Sequence, residues 1–349
     1  MEHSSVVDAT LRIYRRLREA GHDAVGTVLQ SYLYRTEQDL RDLLPLRPNL
    51  RIVKGAYLEP DSVAYARKAD VDYAYARLVE VSLQEGSYTA IATHDERLIE
   101  RIDLFCDAVP RQWTAVTDRG PLRIFARTTP GHPFYARPIP GSGPVTRDHV
   151  ARVRAAQRAL GVPETFEWMH AAAPSMDPAV RGAGLSVQVC PVLVLDGEAA
   201  TAPFPPGITA RLLGPADADL VAAAHAHLIV ASAAFGVPVP AAPTAQTVAA
   251  LAADLVAGRI ARLLVTGPDG AVAAGSVQRS GDVAELVGIA TADPHRGRGI
   301  GAAVTAMLAR VARRAGAGLV FLSAGDASAT RVYERVGFRH VGQCGIAEP

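Results

Sequence analysis

Three short apolar runs open the chain: "AVGTVLQSY", "LRIVKGAY" and "YTAIATHD". A helical pattern separates each from the next. Strands that alternate with helices must pair in parallel, because each return crosses over the sheet. The helix signals agree with this reading. "DATLRIYRRLREAG" spaces its apolar residues helically, with Asp8 as N-cap and Gly21 beyond its end. In "TEQDLRDLL", Thr36 precedes Asp39 by three residues, a capping-box-like start. "DVDYAYARLVEVSLQEG" predicts a longer helix ending at Gly86. The alternation breaks near 101–111, at "RIDLFCDAVPRQW". The first segment therefore has room for only three or four βα units.

The rest of the chain has a different order. From about 112 to 200, strands are predicted at "WTAVTDR", "LRIFAR" and "YARPIP", then a helix in "TRDHVARVRAAQRALG" and a strand in "LSVQVCPVLVLD". "GEAATAPFPPG", at 197–207, has the composition of a linker. From 208, a strand precedes two helical stretches and three more strands, ending in "VAELVGIAT". A helix over 300–315, a strand "LVFLSA", a helix "ASATRVYERVG" and a last strand follow. Three domains are expected, at 1–101, 102–200 and 201–349. That number suits 349 residues, of which 49% are apolar.

Net charge is +1, so no global field favours nucleic acid or an anionic membrane. Cys106, Cys190 and Cys344 lie far apart and form no CxxC pair, which argues against zinc or a disulfide framework. His225 and His227 stand i, i+2 on a helix and point to different faces, so they are not read as a metal pair. The N-terminus lacks a signal-peptide pattern, and no apolar run reaches a membrane span. A cytoplasmic location is the expectation.

"ADPHRGRGIGAA", at 292–303, places Arg296, Gly297, Arg298, Gly299, Ile300 and Gly301 between a strand and a helix. A helix N-terminus offers unpaired N–H groups, and glycines let an anion approach the backbone. A pyrophosphate is the natural ligand. Gly297-x-Gly299-x-x-Ala302 formally matches a dinucleotide fingerprint, but "ADPH" separates it from its strand. No acidic residue ends a following strand about 20 residues on.

Arg-x-x-Gly-x-Gly after "ELVGIAT", together with "GDASATRVYERVGF", resembles the GNAT acyltransferase superfamily over 208–349. The resemblance implies an α/β fold with a mixed central sheet, and acetyl-CoA as cosubstrate. Pantetheine would lie between two splayed parallel strands, pairing with the backbone near Ile289, Ala290 and Thr291. Tyr333 would protonate the departing thiolate, and Glu285 would drain a proton from the attacking amine. The family often has Asn at the place of Asp326, which would also adjoin the cofactor. The acceptor would be a small-molecule or peptide amine. An acyl-CoA-binding sensor without turnover is the non-enzyme alternative. Residues 112–200 resemble the degenerate half of tandem GNAT proteins. They lack a glycine loop, and Trp113, Phe166 and Trp168 are expected in the core.

The first hundred residues resemble proline dehydrogenase, a (β/α)8 barrel carrying FAD. The matching strand ends hold Gln30 and Arg35, then Lys54, Gly55, Ala56 and Tyr57, then Thr93, His94 and Asp95, with Glu2 after a strand that is mostly missing. By resemblance these face the flavin. A barrel needs at least about 200 residues. The segment is thus an incomplete (β/α) barrel fragment, expected to hold no FAD and to oxidise no proline. A fusion remnant, a module that forms a homodimer through open sheet edges, and a weak flavin binder remain the alternatives. A flavin oxidoreductase is the alternative enzyme reading.

Overall fold

The computed structural model describes residues 3–55, 59–85, 88–92, 96–239 and 241–349. The chain divides into two compact units, Met1–His94 and Asp95–Pro349.

In the first unit, helices α1 (Val7–Glu19), α2 (Thr36–Leu43) and α3 (Lys68–Gln84) alternate with strands β1 (Gly26–Gln30), β2 (Asn49–Val53) and β3 (Tyr88–Ala92). The strands form one parallel sheet in the order β1-β2-β3. Leu11 and Tyr14 of α1, Leu40 and Leu43 of α2, and Leu78 of α3 join Leu29, Leu50 and Ile52 in its core. The predicted alternation is present, with three strands among the described residues.

The second unit begins with α4 (Glu96–Ala108), followed by β4 (Thr114–Arg119), β5 (Leu122–Arg127), β6 (Arg137–Pro138), α5 (Arg147–Leu160), β7 (Phe166–Met169), α6 (Met176–Gly182) and β8 (Ser186–Leu195). Next come β9 (Thr209–Leu212), α7 (Leu220–Ala234), α8 (Ala245–Val256), β10 (Ile260–Gly267), β11 (Gly270–Ser280) and β12 (Val283–Thr291). Last are α9 (Ile300–Arg314), β13 (Leu319–Ser323), α10 (Ala327–Val336) and β14 (Phe338–Glu348). Eight strands make a mixed sheet in the order β7-β14-β8-β13-β12-β11-β10-β9, in which only β12 and β13 run parallel. β4, β5 and β6 form a small antiparallel sheet.

Three sequence expectations need correction. The stretch read as a break at 101–111 is mostly helix α4. Its Ile99, Ile102 and Phe105 are buried against Val192, Phe321 and Val341, and the Phe105 and Phe321 rings meet edge to face at 5.2 Å. The unit boundary therefore falls before α4 rather than at 101. The segments expected as separate domains at 102–200 and 201–349 share one sheet. Strand β8 lies between β13 and β14 and pairs along nearly all of β14. A β-strand satisfies its backbone only through neighbours distant in sequence, which no local pattern announces. Strand β7 and helix α6 were absent from the sequence reading. Trp113, Phe166 and Trp168 are buried as expected.

One face of the sheet is covered by α9 and α10, through Val304, Leu308, Tyr333 and Val336 against Leu263, Ala284, Leu286 and Leu322. Ala306, Ala309 and Ala312 let α9 lie close to the sheet. A Cβ on Gly275 beneath it would come within 2.7 Å of the Leu308 side chain. The opposite face is covered in two parts. α7 and α8 lie over Leu264, Ala274 and Ala290, whereas α4 lies over Val283, Leu319 and Phe321.

Candidate functional site

β12 and β13 pair at only three positions, ending at Glu285 opposite Phe321. Beyond that pair the two parallel strands part, and β12 continues alone on this side to Thr291. On its other side β12 follows β11, with a register shift that coincides with Gly288 at φ +61°. A bulge of this kind bends a strand. Ile289, Ala290 and Thr291 thus lie on the stretch of β12 that runs beyond its pairing with β13.

β12 leads through a single turn of 3-10 helix (Asp293–His295) into the glycine loop. Gly297 and Gly299 have φ of +74° and +82°, with nothing within 4 Å of where a Cβ would stand. Conformation, not space, requires glycine there. Gly299 caps α9 without a side-chain bond. Ala303 N–H is the first to bond back, to the Gly299 carbonyl at 3.1 Å. The amides of Ile300, Gly301 and Ala302 are left open at the positive end of the helix. Gly301 adjoins Thr291 and Val332. The Arg296 side chain donates to the Thr291 carbonyl at 3.2 Å and pairs with Asp293 at 3.0 Å, tying the loop to the end of β12. Arg298 is exposed and lies 3.3 Å from His295 Nδ1. Asp326 is the N-cap of α10 and accepts from the Ala329 amide at 2.8 Å. Its carboxylate is occupied in holding that helix.

Tyr333 and Glu285 stand on opposite faces of the sheet. Tyr333 is 9% exposed among the residues that pack with Ala284 and Leu286. Burial, with Asp326 adding to it, pushes its hydroxyl up to about 12, so it stays protonated. Glu285 alternates with Ala284 and Leu286 and therefore points to the other face, at the point where the strands part. It retains some exposure. Burial pushes its carboxyl up to about 8; Glu167 adds to the rise and the Arg137 guanidinium opposes it. Arg137 is ion-paired with Glu167. On α4, burial and Asp107 push Asp103 up to about 6 against Arg137. The sequence reading missed Arg137, Glu167 and Asp103, and no motif marks them. Cys106, Cys190 and Cys344, remote in sequence, are free thiols in this same core, with Cys190 and Cys344 opposite each other on β8 and β14.

His227 is buried on α7. Its Nε2 lies 3.2 Å from the Gly275 carbonyl, to which it donates. Burial and nearby Arg262 push it down to about 4, so it is neutral. Among the described residues no group of three His, Cys, Asp or Glu is arranged to hold a metal, and no helix is long and apolar enough to cross a membrane.

Of the strand-end residues named from the sequence in the first unit, Gln30, Arg35, Lys54 and Gly55 are described. Arg35 bonds Asp39 at 2.8 Å and Asp8 at 2.5 Å, so its charge is spent within the unit. Gln30 is buried, and its carbonyl accepts from the Thr36 hydroxyl. Lys54 Nζ lies 6.0 Å from the centre of the Tyr75 ring. Tyr32 lies against Gly55, where a Cβ would come within 2.3 Å of the ring, so a side chain already fills that approach. Glu2, Ala56, Tyr57, Thr93, His94 and Asp95 lie outside the described residues.

The pattern of the Acetyltransferase (GNAT) family matches residues 258–338, and that of proline dehydrogenase matches residues 1–108. Two unrelated families are thus matched in one chain, proline dehydrogenase over its first part and GNAT over its last. The proline dehydrogenase of Deinococcus radiodurans is 57% identical over 106 residues, 30% of this chain and 34% of that protein. Proline dehydrogenase 2 of Bacillus subtilis is 48% identical over 100 residues, 29% of this chain and 33% of that protein. The chain thus spans about a third of the length of the curated relatives it matches. A GCN5-related N-acetyltransferase from Kribbella flavida superposes with a TM-score of 0.56 at 20% identity, covering 72% of this chain and 95% of that one. That likeness shows the GNAT fold, including the mixed sheet. The proline dehydrogenase match runs to the end of α4, yet α4 is folded onto the GNAT sheet.

Proposed function

We propose that Asp95–Pro349 transfers an acetyl group from acetyl-CoA to an amine. The parting of β12 and β13 just past Glu285 carries this reading. It leaves a strand edge for pantetheine that leads directly to the open amides of α9 for the pyrophosphate. In this reading the amine nitrogen attacks the thioester carbon, and a β12 amide stabilises the developing oxyanion. The C–S bond then breaks. Tyr333 gives its proton to the thiolate, and Glu285 takes one from the new ammonium. The two groups act from opposite faces, which suits an acceptor and a leaving group on opposite sides of the carbonyl. Proline oxidation is not part of the proposal; Arg35, one of the strand-end residues that would serve it, is ion-paired with Asp39 and Asp8.

The test is calorimetric titration of acetyl-CoA into the full chain and into Arg296→Ala. Micromolar binding that weakens at least tenfold in the variant, about 1.4 kcal/mol, is expected. A folded wild type that binds no acetyl-CoA overturns the reading. Flavin absorbance bleached by proline would overturn the exclusion of proline oxidation.

A further inference from the structure

The acceptor side of the sheet carries a second charged group that the acyl-transfer chemistry does not use. Arg262 on β10 lies between Leu263 and Ala261. Leu263 faces α9, whereas Leu264 faces α7 and α8. Strand alternation puts Arg262 on the face of Leu264, which is also the face of Glu285. Register confirms the neighbourhood. Arg262 is opposite Ser276 on β11, Ser276 is opposite Val287 on β12, and Glu285 is two residues along from Val287. Two strand spacings and two residues of rise put the Arg262 and Glu285 backbones about 12 Å apart. Both side chains lie on that face of the sheet, and both keep partial exposure.

Arg262 is a guanidinium without a contact ion pair, although the Asp254 carboxylate acts on it from nearby. Among the described residues its side chain has no hydrogen-bond or ion-pair partner, and its Nε is buried and unsatisfied. The neighbouring carboxylate, Asp254 on α8, is already held by Arg259 Nε at 2.7 Å and by Trp113 Nε1 at 2.9 Å. A second guanidinium, Arg127, adds positive charge nearby. Its donors go to the neutral carbonyls of Thr129, Pro130 and His132, and it stacks over Phe134 at 5.0 Å. His227, which also adjoins Arg262, is neutral. A buried charge left unpaired is costly, and a bound anion would remove that cost.

We propose that Arg262 binds a carboxylate of the acceptor, so that the acceptor is an amine that also carries a carboxylate, as an amino acid does. The guanidinium holds the acid group in two parallel hydrogen bonds. The amine then lies towards Glu285 and the parting of the strands. This rests on the acyl-transfer reading and names its substrate class.

The full chain, saturated with acetyl-CoA, is assayed for thiol release with amino acids, each beside its C-terminal amide. The wild type is expected to favour the acids at least tenfold in kcat/KM. Arg262→Gln is expected to raise KM for the acids at least tenfold and leave the amides unchanged, while Arg262→Lys recovers part of the preference. Thermal unfolding provides the structural control. Because the charge is unpartnered, Arg262→Gln should melt at or above the wild-type temperature. Equal use of acids and amides, equal losses for both in Arg262→Gln, or a lower melting temperature in that variant overturns the proposal and leaves acyl transfer standing. Failure of the wild type to bind acetyl-CoA overturns both.

Discussion

Replacing Glu285 by Gln separates a working carboxylate from a merely tolerated one. The side chain keeps its size and loses its titration. In the folded chain the carboxyl is pushed from 4.5 up to about 8, first by burial, then by Glu167, with Arg137 opposing. The sign follows directly. Between those two pH values the folded chain keeps a proton that the unfolded chain has lost. The stability tied to the neutral carboxyl is fully present below pH 4.5 and disappears as pH rises to about 8. At 1.36 kcal/mol per pH unit the full span is roughly 5 kcal/mol. That is a ceiling, since Glu285 keeps some contact with water and titrates together with Glu167 and Arg137. Urea unfolding of both proteins at pH 5, 6.5 and 8.5 measures it. The variant should gain on the wild type by about 2–4 kcal/mol across this range, within that ceiling. Asp103, raised to about 6, slopes the same way in both proteins and cancels in the difference. Activity should move oppositely. Wild-type kcat/KM should climb to a plateau above an apparent pKa near 8. Glu285→Gln should lose that inflection and at least about a hundredfold in rate. A stability difference that is flat with pH, or a variant that keeps the wild-type pH profile, would refute the reasoning.

Tyr333→Phe should lower kcat by about 10²–10⁴-fold and leave acetyl-CoA affinity unchanged in calorimetry, because a proton donor acts only as the thiolate departs. Unchanged turnover would remove Tyr333 from the chemistry. Cutting the chain on either side of α4 tests the unit boundary. A chain starting at residue 96 should fold and bind acetyl-CoA as the full chain does. One starting at residue 109 should aggregate, because it uncovers Val192, Phe321 and Val341 where Ile99, Ile102 and Phe105 had lain. Equal solubility and melting temperature for both, by light scattering and circular dichroism, would contradict that packing.

Much of the molecule was legible locally. The βα alternation of the first unit and the glycine loop depend on residues close in sequence. Positive φ and orphan amides at a helix start are local properties, and local residue choice reveals them. The sequence also placed Glu285 and Tyr333 on β12 and α10. It did not show that they occupy opposite faces, or that burial beside Glu167 raises the Glu285 carboxyl. The insertion of β8 between β13 and β14, the docking of α4 on the mixed sheet and the solitary charge of Arg262 were decided only by the tertiary fold. Each depends on strands and helices that meet from distant parts of the chain. α4 shows the difference best. Its sequence matches proline dehydrogenase, but its apolar stripe is buried by whichever surface it meets, and here that surface is the eight-stranded mixed sheet.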